Sequence, residues 1–457
     1  MREAVIDDGT TQQKLPSASH EPHRCLLCCA VLAALAVRLV VIAFVYSSFM
    51  APEREHWLFG FEIGKIAQSI VQGDGFANLF FGGPTGPTSV IAPVFPYIVA
   101  GIFELLGVYT KASAMAILAL NSLFSALTCI PIYFVAKKSF GARIAQWATW
   151  GWALFPYAIY FSADSMWYHA LATLLVSCIF WAAMGLPGSS RMRSWIAFGA
   201  LCGFSALVSP AILGVSAVLG IWACYGLHHM RRPWLRPAIV SVAVVCAVIA
   251  PWLVRNYRAF GKPVFLKDNL PLELCVGNIG SGLYWFNSAM HPSGSPAQME
   301  EFRLLGEQGY MARDWLKARE FIADHPATFG WLSIRRFGYF WAGFWSFNRK
   351  YLEEESFDLV DIPFRTAVTV LMLIGIRRAF QRNAKAVMPY LLMLLVYPFP
   401  YYVTHPEIAY RSPIDPEIVI LACCILLRST SNRKTTTRTL EVEFASDEMS
   451  VQALESR

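Results

Sequence analysis

Residues Glu53 to Tyr97 read EREHWLFGFEIGKIAQSIVQGDGFANLFFGGPTGPTSVIAPVFPY, and the threading of the chain turns on this stretch. From Ile63, the apolar positions Ile63, Ile66, Ala67, Ile70 and Val71 recur at i, i+3, i+4, i+7 and i+8, while Glu62, Lys65, Ser69 and Gln72 take the other face. Such a helix lies on a membrane surface rather than crossing it. Gly73-Asp74-Gly75 ends it, a glycine-rich loop follows, and Pro93 and Pro96 open the next apolar run. That run, Val94 to Leu106, is short and interrupted by Glu104, which suits a surface-lying or half-inserted helix. Carboxylates are thereby held at the membrane surface, where a lipid headgroup and a polar acceptor can meet.

Outward from this stretch, the composition fixes the class. The 457 residues are 56% hydrophobic and 15% charged, with a mean hydropathy of +0.45, which excludes an ordinary soluble globule and marks an all-α polytopic membrane protein. The formal charge of +7 sits in short basic clusters between apolar runs, as topology requires, and does not indicate a nucleic-acid partner. The 11 cysteines fall mostly inside apolar runs without ligand spacing, so neither a zinc site nor a disulfide framework is expected.

Residues 1–25 form a polar tail, and the first span, 26–50, is read as a retained anchor with Arg38 near its middle. A mid-span arginine faces either a structural partner or a site. With 94–106 not crossing, further spans follow at 112–136, 144–161, 166–186, 195–208, 211–227 and 238–254. Residues 26–254 thus make a transmembrane core whose first external loop covers 51–111. Residues 255–347 read as an external segment with an interfacial helix around Arg335 and Arg336, because letting it cross would force Arg377, Arg378, Arg382 and Lys385 to the wrong side. Spans at 363–376, 386–402 and 413–427 lie within a C-terminal unit, 348–427, and 428–457 reads as a disordered cytoplasmic tail. The expectation is about ten spans, plus juxtamembrane helices on the outer side.

Three external segments carry polar residues back toward the membrane: 53–97, 162–165 with 255–278, and 404–415. Transfer of a sugar from a polyprenyl phosphate needs little more. The leaving phosphate is a weak base, so no general acid is required, in contrast to glycoside hydrolysis. One carboxylate accepts the acceptor's proton, and cations or a metal offset charge on the phosphate.

Three blocks carry a family resemblance: FEIGKIAQSIVQGDGF with GPTSVIAPVFPYIVAGIFELLG, then APWLVRNYRAFGKPVFLKDNLPLELCVGN, then YYVTHPEIAYRSPIDP. In this order and with this hydropathy, the chain resembles the GT-C superfamily of polyprenyl-phosphate-sugar glycosyltransferases, in the bacterial branch related to protein O-mannosyltransferases and aminoarabinose transferases. The resemblance covers residues 26–427. It implies a GT-C fold and an inverting transfer of a monosaccharide from a polyprenyl-phosphate donor to a periplasmic protein, lipid or glycan. It also implies an inner-membrane location and an acid on the first external loop as base or metal partner.

Many relatives carry an Asp-Glu pair before the surface helix, where this chain has Leu58 and Phe59. Glu62, Glu55 and His56 are the nearby groups. Glu62 leads, because it lies on the polar face in the first turn, where the helix end favours the ionised form; its bland alternative is pairing with Lys65. Asp164 matches an acid that relatives place in a short external turn, and equally reads as a helix N-cap. Aminoarabinose-type relatives place a phosphate-binding lysine where this chain has Ala92, so Arg255, Arg258, Lys262, His405 and Arg411 become the candidates for the lipid phosphate. Their alternative role is as interfacial anchors, and Asp415 reads as a partner of Arg411. No metal ligand set is assigned; a divalent cation is compatible with the chemistry, but no cluster compels it.

Gly277-Asn278-Ile279-Gly280-Ser281-Gly282 reads as a turn rather than a nucleotide loop, and His228-His229 as part of a basic cytoplasmic loop. Two rival functions stand beside the enzyme. A lipid-linked sugar transporter or flippase would need polar residues along its spans, and a catalytically degenerate lipid-binding scaffold would account for the missing Asp-Glu pair.

Overall fold

The computed structural model describes residues 21–46, 60–163, 166–189, 191–280, 284, 286–355 and 358–427. Of the expected tail 1–25, residues 1–20 lie outside the described residues and the rest belong to the first helix; the expected tail 428–457, Glu55, His56 and Asp164 also lie outside them. Among the described residues the regular structure is helical, and the sole strand-like pairing is an isolated antiparallel bridge between Ala77 and Pro87.

The chain opens with α1 (Glu21–Val41), followed by α2 (Glu62–Val71) and α3 (Val94–Leu106). α4 (Lys111–Leu127) and α5 (Cys129–Phe140) are consecutive across Thr128, while α6 (Ala142–Ala153) and α7 (Pro156–Ala163) are divided at Pro156. α8 (His169–Gly185), α9 (Met192–Val208), α10 (Ile212–His229) and α11 (Leu235–Phe260) continue the apolar bundle. The more polar part comprises α12 (Leu270–Asn278), α13 (Pro296–Asp324), α14 (Pro326–Ala342) and α15 (Arg349–Glu354). α16 (Asp358–Val396), α17 (Phe399–Val403) and α18 (Asp415–Cys423) close the described chain.

Six stretches among the described residues are long and apolar enough to cross a membrane: Cys25–Phe44, Lys111–Phe140, His169–Gly188, Ile212–His229, Leu235–Phe260 and Leu359–Val403. The expected count of about ten is not reached by helices of crossing length, for physical reasons. Pro156 lacks an amide hydrogen and divides the expected span 144–161 into two short helices. The expected spans 363–376 and 386–402 fall on either side of Asn383 (φ −157°, ψ 87°), a non-helical residue that divides the long run Leu359–Val403 into two helices. Met192–Val208 is a shorter apolar helix, and so is Val94–Leu106, the segment read as non-crossing.

Tight packing and buried polar bonds hold the bundle. Arg38 is fully buried, and its guanidinium donates to Ser125 Oγ (3.0 Å), Ala34 O (2.9 Å) and Ala153 O (2.9 Å). It thus satisfies a carbonyl exposed at the α6–α7 break, and its role is structural. α16 meets α18 at Gly375, where a Cβ would fall 1.8 Å from Leu421 O, so only glycine permits that approach. Two buried arginine–aspartate pairs, Arg365–Asp361 (3.3 Å) and Arg411–Asp415 (2.8 Å), lie at the entrance to the last helices.

Candidate active site

α2 forms as its sequence dictates, with Ile63, Ile66 and Ala67 buried against the core and α3 packed beside it. The backbone just before it is unusual. Gly60 has φ +66° and Phe61, a bulky residue, has φ 30° and ψ −82°. A non-glycine residue held there stores strain of about 1–3 kcal/mol, which the surrounding packing must overdetermine. The Phe61 ring is buried against Phe81, with centroids 5.0 Å apart, and this fixes the turn from which Glu62 projects. Lys65 does not pair with Glu62; its Nζ donates to Gln68 Oε1 (2.8 Å) and sits over the Phe81 ring.

The loop after α2 is pinned from several sides. Asn78, itself at φ 58°, accepts from the amides of Thr85 (3.0 Å) and Gly86 (3.3 Å) and donates to Ser69 Oγ and Asp74. Arg255, in the last turns of α11, donates to Thr88 O (2.7 Å) and Phe76 O (2.5 Å) and covers the rings of Phe76 and Trp252. Its donors are therefore engaged in clamping the first loop to α11. Arg258 and Lys262 are exposed near the end of the same helix. Arg411 is buried, with Nε on Asp415 and Nη1 within 3.5 Å of Trp341 O and Thr369 Oγ1.

Around Glu62 the fold gathers the candidate His405 with groups that the sequence reading did not select. Lys267, Glu273 and Glu407 all act electrostatically on Glu62 or on one another. Glu273, in the first turn of α12, accepts from Asn269 Nδ2 (2.6 Å) and pairs with His405 Nδ1 at 3.2 Å. His405 Nε2 lies 3.4 Å from Tyr410 Oη, and Tyr410 also bonds the Glu407 carboxyl. His291, bonded through Nδ1 to Ser293 Oγ (2.5 Å), completes the group from the α13 side. Glu62, Lys267 and Glu273 are half-buried and Glu407 keeps exposed surface, so solvent reaches these carboxylates although protein surrounds them. They line a recess rather than an open face.

The electrostatics follow from this enclosure. Burial raises Glu62 to about 7 against the bond from its own backbone amide; Glu273 and Glu407 push it the same way as burial, and Lys267 opposes them. The expected ionised form is thus corrected, because burial outweighs the helix end. Burial also raises Glu407 to about 7, against its bond to Tyr410. Burial lowers Lys267, while Glu273, Glu62 and Asp268 favour its charge. His405 and His291 are both lowered by burial, His291 to about 4, so both are neutral near pH 7. Among the described residues no three His, Cys, Asp or Glu side chains converge as a metal-ligand set.

A further polar pair supports the recess. Glu307 of α13 accepts at Oε1 from Ser89 N (2.7 Å) and Ser89 Oγ (2.9 Å), while Asp268 N donates to Ser89 O (3.2 Å). An apolar cavity of about 450 Å³ lies between α9, α10 and α11, walled by residues such as Trp195, Phe198 and Trp234. None of the candidate residues lines it.

The signals for the missed residues were in the quoted blocks. Lys267 and Glu273 sit in VFLKDNLPLELCVGN and Glu407 in THPEIAYRSP, where the arginines drew attention because a guanidinium suits phosphate. Arg255 and Arg411 instead bond carbonyls and a carboxylate, which only the three-dimensional packing reveals.

No family model matches the chain, and no curated protein matches it. Among solved structures, it is similar to the oligosaccharyltransferase of Archaeoglobus fulgidus in the apo form, with TM-score 0.51 and 14% identity over 92% of this chain and 52% of that one. It is equally similar to AglB of the same organism in complex with an inhibitory peptide and a dolichol-phosphate, with TM-score 0.51 and 12% identity over 94% and 52%. ArnT from Cupriavidus metallidurans bound to undecaprenyl phosphate gives TM-score 0.37 and 16% identity over 89% and 78%. The chain spans about half the length of the archaeal structures. At these identities the likeness is one of architecture: the chain, helical among the described residues, is a membrane protein built on the GT-C fold that the archaeal oligosaccharyltransferase also adopts.

Proposed function

We propose that this chain is a membrane glycosyltransferase that moves a monosaccharide from a polyprenyl-phosphate donor to an acceptor on the extracytoplasmic face of a bacterial inner membrane. One observation carries the reading. A strained turn presents Glu62 to a recess in which Lys267 is the nearby cation and burial has brought the carboxyl to about 7. A base that titrates near neutrality combines a usable ionised fraction with a real affinity for the proton. The fold shared with a structure that holds a dolichol-phosphate agrees with a lipid-phosphate donor.

In the transfer, the acceptor oxygen forms a bond to the sugar's C1 as its proton passes to the Glu62 carboxylate. The bond from C1 to the phosphate oxygen breaks with inversion, and its electron pair stays on the phosphate, where Lys267 offsets the charge. Glu62 and Glu407 are both part-neutral near pH 7, which softens the repulsion that an anionic donor meets in an acid-lined recess. His405 and Tyr410 hold Glu273 and Glu407 in place. Transport is less well served. The buried arginines Arg38, Arg365 and Arg411 are spent on carbonyls or on the carboxylates of Asp361 and Asp415 rather than left open to a solute.

The test is transfer from a polyprenyl-phosphate hexose in proteoliposomes. Glu62→Gln is expected to lower kcat by about 10²–10⁴-fold, the range for loss of a general base. Turnover equal to wild type would remove Glu62 from the chemistry.

A further inference from the structure

Asp268 and Glu307 come from different parts of the chain and converge on one residue, Ser89. Glu307 Oε1 takes both donors of Ser89, its amide and its hydroxyl, and Asp268 binds the Ser89 carbonyl through its own amide. Gln308 Nε2 donates to Asp268 Oδ2. Asp268 Oδ1 and Glu307 Oε2 are both sealed from solvent and lack a hydrogen bond of ordinary geometry, although the Ser89 hydroxyl favours the Asp268 carboxylate and the Thr88 hydroxyl that of Glu307. Two such oxygens in adjacent carboxylates are costly unless a proton lies between them, because each is a strong acceptor removed from water. The two side chains are within hydrogen-bonding reach of one another. Burial and the facing Asp268 raise Glu307 to about 8, and burial raises Asp268.

The location gives this pair a consequence. Lys267 is the residue before Asp268 and follows Leu266, whose backbone is left-handed at φ 55°. That conformation is strained for leucine and persists only if the segment is held on both sides. On one side α11 holds it, through Asn256 Nδ2 to Val264 O (3.2 Å) and Trp252 Nε1 to Leu266 O (3.0 Å). On the other side the hold is Asp268, on Ser89 and Glu307.

We infer that Asp268 and Glu307 share one proton and that this singly protonated pair is a positioning device that keeps Lys267 turned into the recess. The inference rests on the proposed reading only in naming what Lys267 is for; the positioning itself does not depend on it. Loss of the shared proton places two carboxylates against each other. The charged groups that face the pair are Lys267 on its own segment and Arg255 from α11, with Thr88, Ser89 and Gln308 contributing neutral bonds. Arg255 is tied to the carbonyls of Thr88 and Phe76 and is not free to bridge the two acids. Above about pH 8 the segment loosens, its strain at Leu266 relaxes, and the Lys267 amine becomes accessible.

The experiment is acylation of Lys267 by an amine-directed reagent in the reconstituted full chain, followed by peptide mass spectrometry, on wild type, Glu307→Gln and Glu307→Ala. The amide of Glu307→Gln replaces the shared proton with an N–H donor. Lys267 is expected to react at wild-type rate in Glu307→Gln at pH 7, and about tenfold faster in Glu307→Ala, the factor that corresponds to about 1.4 kcal/mol of opening. Between pH 7 and 9, wild type should accelerate more than Glu307→Gln. Equal rates in all three proteins, or a Glu307→Gln rate matching Glu307→Ala, would overturn the inference. If Glu307→Ala does not fold, the pH dependence of wild type against Glu307→Gln decides, and a common slope for the two counts against the shared proton. None of these readouts uses glycosyl transfer, so a failed transfer assay leaves them intact.

Discussion

Glu62 sits where two local effects oppose each other: the first turn of α2 favours its carboxylate, and the protein around it favours the neutral acid. The balance falls at about 7. The sign for activity follows directly. Because the folded-state value is raised above the ordinary 4.5, the base carries its proton through the mildly acid range and loses it as pH rises through about 7. The kcat of transfer should therefore climb about tenfold per pH unit below 7 and level off above it, and a pH–rate profile in proteoliposomes measures this limb. A profile flat between pH 5 and 8 would assign the base to another group. The position of Glu62 at the start of a surface helix was legible in the periodicity of Ile63, Ile66, Ala67 and Ile70. Its protonation was not, because the burial that raises it, with smaller effects from Glu273, Lys267 and Glu407, comes from segments remote in sequence. Helix-end effects are local and can be read from order alone; desolvation is a property of everything nearby.

At the scale of elements, the recess depends on how α12 meets the segment that begins at Thr404. Gly277 lies so close to it that a Cβ would fall 2.2 Å from Thr404 O and 3.3 Å from the His405 Cβ. Arg336 of α14, fully buried, closes the same junction by donating to Gly277 O (2.6 Å), Asn278 Oδ1 (2.9 Å) and the carbonyls of Tyr402 and Val403. Gly277→Ala should push Thr404 and His405 away from Glu273 at a cost of about 1–3 kcal/mol, as overpacking does. Thermal unfolding in detergent and donor KM are expected to worsen together, whereas a variant with unchanged melting and KM would show that the junction yields freely. The sequence reading placed Arg336 in an interfacial helix from its aromatic neighbours. It gave no sign that the arginine caps another helix, because the carbonyls it serves belong to backbone that any residue supplies. The glycine at 277 was read as part of a turn, and its role as a contact surface depends on a neighbour more than a hundred positions away.

For the whole molecule, charge distribution and hydropathy carried most of what could be known in advance. They identified a polytopic helical membrane protein and a short amphipathic helix after the first apolar run, and both are present. They did not fix the length of each span, because a hydropathy run does not reveal a break at Pro156. The basic clusters predict the orientation. Single cysteines at Gln72, beside the recess helix, and at Arg232, in the basic loop after α10, should label from opposite sides once the native cysteines are removed. Gln72→Cys is expected to react with an impermeant thiol reagent on intact spheroplasts, and Arg232→Cys only after lysis; the reverse pattern would place the recess in the cytoplasm.

The account depends on Lys267 and Glu62 serving one substrate from two sides. An experimental structure of the full chain with a bound polyprenyl phosphate tests this most directly. The account predicts the phosphate in ionic contact with Lys267 and an open path from the Glu62 carboxyl to the position of the sugar. A phosphate resting on Arg258 or Lys262 at the exposed end of α11, with Lys267 engaged only by Glu273, would contradict it.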